Sequence, residues 1–79
     1  MEGKWKQSNG KLIKTFEFKN FKDALAFINT IGEIAESMNH HPKIINVYSR
    51  VSLELWTHDQ NDITELDFQL ADAIDQKIQ

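Results

Sequence analysis

Polar and apolar residues alternate along two early runs, Lys4–Ser8 and Lys11–Phe18, with Asn9-Gly10 between them. A period of two marks a half-buried strand. Asn-Gly is the strongest short hairpin signal, because the favoured two-residue turn needs positive φ at both central residues. A turn there puts Trp5 on the same face as Leu12, Phe16 and Phe18, and that face is the candidate core.

The period then changes. Phe21, Ala24, Leu25, Ile28, Ile31, Ala35 and Met38 recur at three-and-four spacing behind Asn20, with Asp23 as the acid three positions on. This predicts a capped helix running to about Met38 with one broad apolar stripe. Asn39 to Pro42 should end it, since the residue before a proline disfavours helical geometry. Ile44–Tyr48 and Val51–Thr57 read as two more strands joined at Ser49-Arg50, with Val51, Leu53 and Leu55 alternating against Ser52, Glu54 and Trp56. After a polar loop over Asp59–Ile63, Thr64 and Asp67 resemble a capping box, and Leu66, Leu70, Ile74 and Ile78 follow at spacing four. The order is β-β-α-β-β-α. It implies an α+β fold, a four-stranded antiparallel sheet with two helices packed on one face.

Seventy-nine residues without a linker, a repeat or a low-complexity segment imply one domain over residues 1–79. A chain of this length buries roughly 60–65% of its unfolded surface and has little stability to spare. Small scaffolds compensate with disulfides, a metal or oligomerisation. With no cysteine in the chain, disulfides and thiolate metal sites are excluded, so a homodimer or homotetramer is expected. The opening Met1-Glu2-Gly3-Lys4-Trp5 lacks a signal-peptide core, and no apolar run approaches a membrane span, so the cytoplasm is the expected compartment. A net charge of −3, with the nine basic residues scattered, argues against direct nucleic-acid binding.

The three glycines cannot supply a phosphate-binding loop or a dinucleotide fingerprint, and no nucleophile-elbow or zincin pattern occurs. The histidines stand out instead. His40-His41-Pro42 follows the first helix and His58 follows the last strand, so a hairpin turning at Ser49-Arg50 gathers them at one rim of the sheet. Three imidazoles could bind zinc, but no cysteine and no His-x₃₋₅-His pair supports that. Adjacent histidines in an extended loop point in opposite directions. Glu36 sits at the negative end of a helix, where an acid is mildly unfavourable, whereas Asp67 in a first turn is favoured. Taken alone, Trp5, Tyr48 and Trp56 are packing residues.

Glu36, three residues, His40-His41-Pro42, five residues, Tyr48, nine residues, His58, eight residues, Asp67: these seven residues over 32 positions resemble the signature of the pterin-4a-carbinolamine dehydratase family. Phe16-Glu17-Phe18-Lys19-Asn20-Phe21, Asn46-Val47-Tyr48 and Trp56-Thr57-His58 also resemble its text, so the likeness covers almost the whole chain. Departures are the near absence of a segment before Trp5, Leu66 where several members have arginine, and Ser37 where lysine is common. The resemblance implies dehydration of a 4a-hydroxytetrahydropterin, the by-product of aromatic amino-acid hydroxylases, in support of tetrahydrobiopterin recycling. It implies no metal and no organic cofactor. Imidazole, with an unperturbed pKa of about 6.5, suits both the acid and the base role. His40 is expected as the acid at the 4a-hydroxyl, with His41 and His58 as partner acid–base groups or substrate ligands. Glu36 is expected to orient a histidine, and Asn39, Pro42, Trp56, Thr57, Asp59, Asp67 and Trp5 to contribute to substrate binding. Two alternatives stay open: a dimerisation or interaction module with little catalysis, as in animal relatives that serve a transcription factor, or action on another pterin, such as one of molybdopterin metabolism.

Overall fold

The computed structural model describes residues 4–78, so the two ends of the expected domain, residues 1–3 and 79, lie outside the described residues. The elements are β1 (Lys6–Ser8), β2 (Lys11–Glu17), α1 (Phe21–Met38), β3 (Lys43–Val47), β4 (Arg50–Leu55) and α2 (Glu65–Lys77). The strands form one antiparallel sheet in the order β1-β2-β4-β3. Alternation decides which side is covered. Leu12 and Phe16 of β2 and Val51, Leu53 and Leu55 of β4 pack against Ala24, Phe27 and Ile31 of α1 and Leu70, Ala71 and Ile74 of α2. The expected β-β-α-β-β-α sandwich is therefore the fold. No helix is long and apolar enough to cross a membrane among the described residues.

Local chemistry sets the boundaries. Asn9 and Gly10 have φ of 52° and 73°, the two positive values the tight hairpin requires. The first strand is shorter than the predicted Lys4–Ser8. Trp5 lies against Phe16 edge-on, ring centroids 6.1 Å apart, and its indole Nε1 donates to Asp75 of α2 at 3.0 Å. Lys14, buried on the same side, donates to the other oxygen of Asp75 at 2.9 Å. The side chain of Asn20 accepts from the backbone N–H of Asp23 at 2.8 Å, as a cap should.

Two expectations need correcting. The β3–β4 turn is Tyr48-Ser49, not Ser49-Arg50: Val47 pairs with Arg50, and Tyr48 takes the left-handed conformation at φ 53°. Asn46 fixes this register, its side-chain amide donating to the carbonyls of Tyr48 and Arg50 at 3.2 and 3.0 Å. Arg50 also pairs with Glu17 across the β4–β2 ladder and donates to its carboxylate at 2.7 Å. The second correction concerns the end of α1. Asn39 stops it, three residues ahead of Pro42, by turning left-handed at φ 52°. The backbone N–H groups of Asn39 and His40 return to the carbonyls of Glu36 and Ala35 at 3.2 and 3.0 Å, the two bonds of a Schellman motif.

Candidate active site

The Schellman motif has a consequence for chemistry. The residue two past the end of such a helix usually packs inward against the last turn. Here that residue is His40, beside buried Ala35, and its imidazole is itself buried. His40 Nε2 meets Asp67 Oδ1 at 2.6 Å. An ionised carboxylate only accepts, so Nε2 carries the proton and Nδ1 is the nitrogen left for the cleft.

Asp67 is fully buried in the first turn of α2 and every bond it makes has a direction. Its Oδ2 accepts from the Thr57 hydroxyl and from the backbone N–H of Thr64, both at 2.9 Å. The latter is the reciprocal half of the predicted capping box. Thr57 and Thr64 join hydroxyl to hydroxyl. One carboxylate thereby ties the end of α1, the segment after β4 and the start of α2 around His40. No buried side-chain nitrogen or oxygen lacks a partner among the described residues. A network satisfied in this way holds a side chain in one orientation.

His41 turns the other way. Its Nε2 meets Glu36 Oε1 at 2.9 Å, and the side chains of the pair are 56% and 81% exposed. The acid at the negative end of α1 therefore has a partner. His58 lies past the end of β4, stacked on Trp56 with ring centroids 4.6 Å apart and an interplanar angle of 27°. Lys11 sits over the Trp56 ring, its Nζ 5.1 Å from the centroid.

Asn39, His40, His41, Thr57, His58, Asp59 and Leu66 line one cleft of about 240 Å³. The three imidazoles thus meet at one rim, although the two adjacent ones have different partners. Of the other residues singled out from sequence, Glu36 reaches the cleft through His41, and Trp56 stacks on His58 rather than lining the cavity. Asp67 stands behind His40 with no exposed surface of its own. Pro42 is half-buried and outside the lining. Trp5 lines a separate groove with Phe68, Asp72 and Asp75. Sequence reasoning missed the bond of the Thr64 hydroxyl to Thr57 and the placing of Leu66 on the cleft wall. It also missed the bond joining His40 to Asp67, for which the only signal was the spacing of the pattern that contains both. Among the described residues no group of three or more histidine or acidic side chains is placed to hold a metal ion.

A family model described as pterin 4 alpha carbinolamine dehydratase matches residues 1–77. A protein of Prochlorococcus marinus, named a candidate pterin-4-alpha-carbinolamine dehydratase, is 49% identical over 71 residues, covering 90% of this chain and 74% of its own. One of Sulfolobus acidocaldarius, with the same name, is 49% identical over 75 residues, covering 95% and 81%. Among solved structures, a transcriptional coactivator/pterin dehydratase from Brucella melitensis superposes with a TM-score of 0.88 at 32% identity, over 95% of this chain and 82% of that one. A pterin dehydratase-like protein identified as a RuBisCO assembly factor of the alpha-carboxysome superposes at 0.79 with 22% identity, over 94% and 88%, a likeness of fold alone.

Proposed function

Since this chain belongs to the pterin 4 alpha carbinolamine dehydratase family, we propose that it dehydrates a 4a-hydroxytetrahydropterin by histidine acid–base catalysis. One imidazolium delivers a proton to the 4a-hydroxyl, the C4a–O bond breaks and water leaves. A ring N–H gives up its proton to a base as the C=N bond of the quinonoid dihydropterin forms. Hydroxide is a poor leaving group, so the acid carries most of the acceleration, typically 10²–10⁴-fold for one positioned group.

The observation that carries this reading is the buried His40–Asp67 pair at a cleft also bordered by His41 and His58. A carboxylate on Nε2 fixes the tautomer and the orientation of the ring, leaving Nδ1 to exchange protons with the substrate. His40 is the acid at the 4a-hydroxyl, and His58 and His41 are its acid–base partners. Asn39, Thr57 and Asp59 contact the pterin, and Asp67 and Glu36 position histidines. The reaction needs neither a metal nor an organic cofactor. The physiological role is recycling of the pterin in the cytoplasm.

Purified protein should accelerate formation of the quinonoid dihydropterin, followed by its absorbance, and should bind a non-reactive dihydropterin in a direct titration. Binding without acceleration assigns the cleft to another pterin. Neither binding nor acceleration leaves the interaction-module reading that the names of the Brucella and carboxysome structures bring to mind.

A further inference from the structure

Each histidine of the cleft needs something to fix its ring. Asp67 meets His40 and Glu36 meets His41, in both cases through a carboxylate oxygen. His58 is exposed, and among the described residues neither a hydrogen bond nor an ion pair reaches its ring. What it does meet is the indole of Trp56, with the two ring planes 27° apart. Aromatic stacking has a preferred geometry, which general apolar burial lacks.

The backbone around His58 is already pinned. The Thr57 N–H donates to the Asp62 carbonyl at 2.9 Å and closes a loop over His58, Asp59, Gln60 and Asn61. Within it the N–H groups of Gln60 and Asn61 donate to the carbonyls of Thr57 and His58 at 3.1 and 3.2 Å. The tip of the β1–β2 hairpin lies against this loop, for a Cβ at Gly10 would meet Asp62 Oδ1 at 3.4 Å. The side-chain torsions of His58 are what remains free. Alternation directs Trp56 and His58 to one side and Thr57 to the other, where the Thr57 hydroxyl reaches Asp67. The indole has its own support. One step beyond the Leu12–Leu55 pair, the β2–β4 register sets Lys11 opposite Trp56, and Lys11 Nζ stands 5.1 Å from the ring centroid.

We infer that Trp56 is the positioning residue of His58, doing with a ring face what a carboxylate does for His40, and that Lys11 across the sheet keeps the indole in place. The part this plays in catalysis rests on the dehydratase reading, whereas the stack itself does not. A carboxylate fixes an imidazole by occupying one nitrogen. A ring face holds the plane and leaves both nitrogens free, so His58 can take up a proton at one and release it at the other. The β1–β2 hairpin thereby joins the frame of the site, although none of its residues lines the cleft.

Proton NMR tests the stack without substrate. The ring current of the indole should move the carbon-bound protons of the His58 imidazole upfield of those of an unstacked histidine, and Trp56→Leu should return them. His58 signals, assigned by their loss in His58→Ala, that do not move in Trp56→Leu overturn the stack. For the chemistry, Trp56→Leu should lower kcat for pterin dehydration by about tenfold with KM little changed, since misplacing a group costs rate more than binding. Trp56→Phe keeps a ring face and should recover most of that rate. In a His58→Ala chain, Trp56→Leu should have no further effect, because a residue that acts through another is silent once that one is gone. An equal loss in both backgrounds, an unchanged kcat in Trp56→Leu, or a Trp56→Phe as slow as Trp56→Leu overturns the positioning role. Should Trp56→Leu fail to fold, Trp56→Thr removes the ring with a residue that suits a strand, and the same outcomes apply. If wild type itself does not dehydrate pterin, the catalytic role falls with the dehydratase reading, and the NMR shift still decides the stack.

Discussion

Two consecutive histidines each meet a carboxylate, and the two pairs could hardly differ more in setting. His40 and Asp67 are 2.6 Å apart with side chains 9% and 0% exposed, and His41 and Glu36 are 2.9 Å apart in open solvent. The first carboxylate has two further bonds to make, accepting from the Thr57 hydroxyl and from the Thr64 N–H that caps α2, and the second has none. A buried pair resists reorganisation, because each partner left alone is a desolvated polar group. An exposed pair is screened by water and salt and fixes little. Equal hydrogen bonds therefore do not mean equal roles. In the proposed reaction the pair near solvent is free to adjust, and the buried one sets the geometry of the site.

The largest effect that would break this contrast is expected at His40. His40→Ala should lower the dehydration rate by about 10²–10⁴-fold, and His40→Ala/His58→Ala should fall further than either single variant. A smaller loss from His41→Ala than from His40→Ala is expected, measured by initial rates at saturating pterin. Asp67→Ala comes next. It strands the Thr57 hydroxyl, the Thr64 N–H and His40 together, and should cost on the order of 3 kcal/mol in urea unfolding. Asp67→Asn keeps the shape and an acceptor, so it should regain much of that stability while activity stays low. Equal recovery of both would reduce Asp67 to a helix cap.

How far such a contrast can be read from sequence depends on whether local or tertiary geometry sets it. Asn9-Gly10, the Asn20 cap, the α1 stripe and the alternation in β4 all act through neighbours within four residues. These elements occur in the predicted order, with β1 starting at Lys6 rather than Lys4 and β4 spanning Arg50–Leu55 rather than Val51–Thr57. The gathering of three histidines follows from strand order alone. The Tyr48-Ser49 turn was displaced by one residue because a side chain, the Asn46 amide, chooses the register. That Asp67 points at His40 depends on how α2 is rotated over the sheet, which spacing does not encode. Trp5 follows the same rule: its alternation predicted the packing on Phe16, and its bond to Asp75 across 70 residues lay beyond any local pattern.

Smaller effects sharpen the contrast. Glu36→Gln should shift unfolding stability by no more than about 0.5 kcal/mol, and that difference should fade with added salt. Its activity should remain within a fewfold of wild type, where Asp67→Asn does not. Prolonged EDTA treatment should leave activity unchanged, and elemental analysis should find no stoichiometric zinc or iron. Metal lost together with activity would instead make ligands of the three imidazoles.

The most direct measurement compares kcat for 4a-hydroxytetrahydropterin dehydration in wild type and His40→Ala, with far-ultraviolet circular dichroism and urea unfolding on the same samples. A folded variant slowed by about two orders of magnitude or more is the predicted result. A folded His40→Ala within twofold of wild type would contradict the account, because the buried His40–Asp67 pair would then have no part in the chemistry.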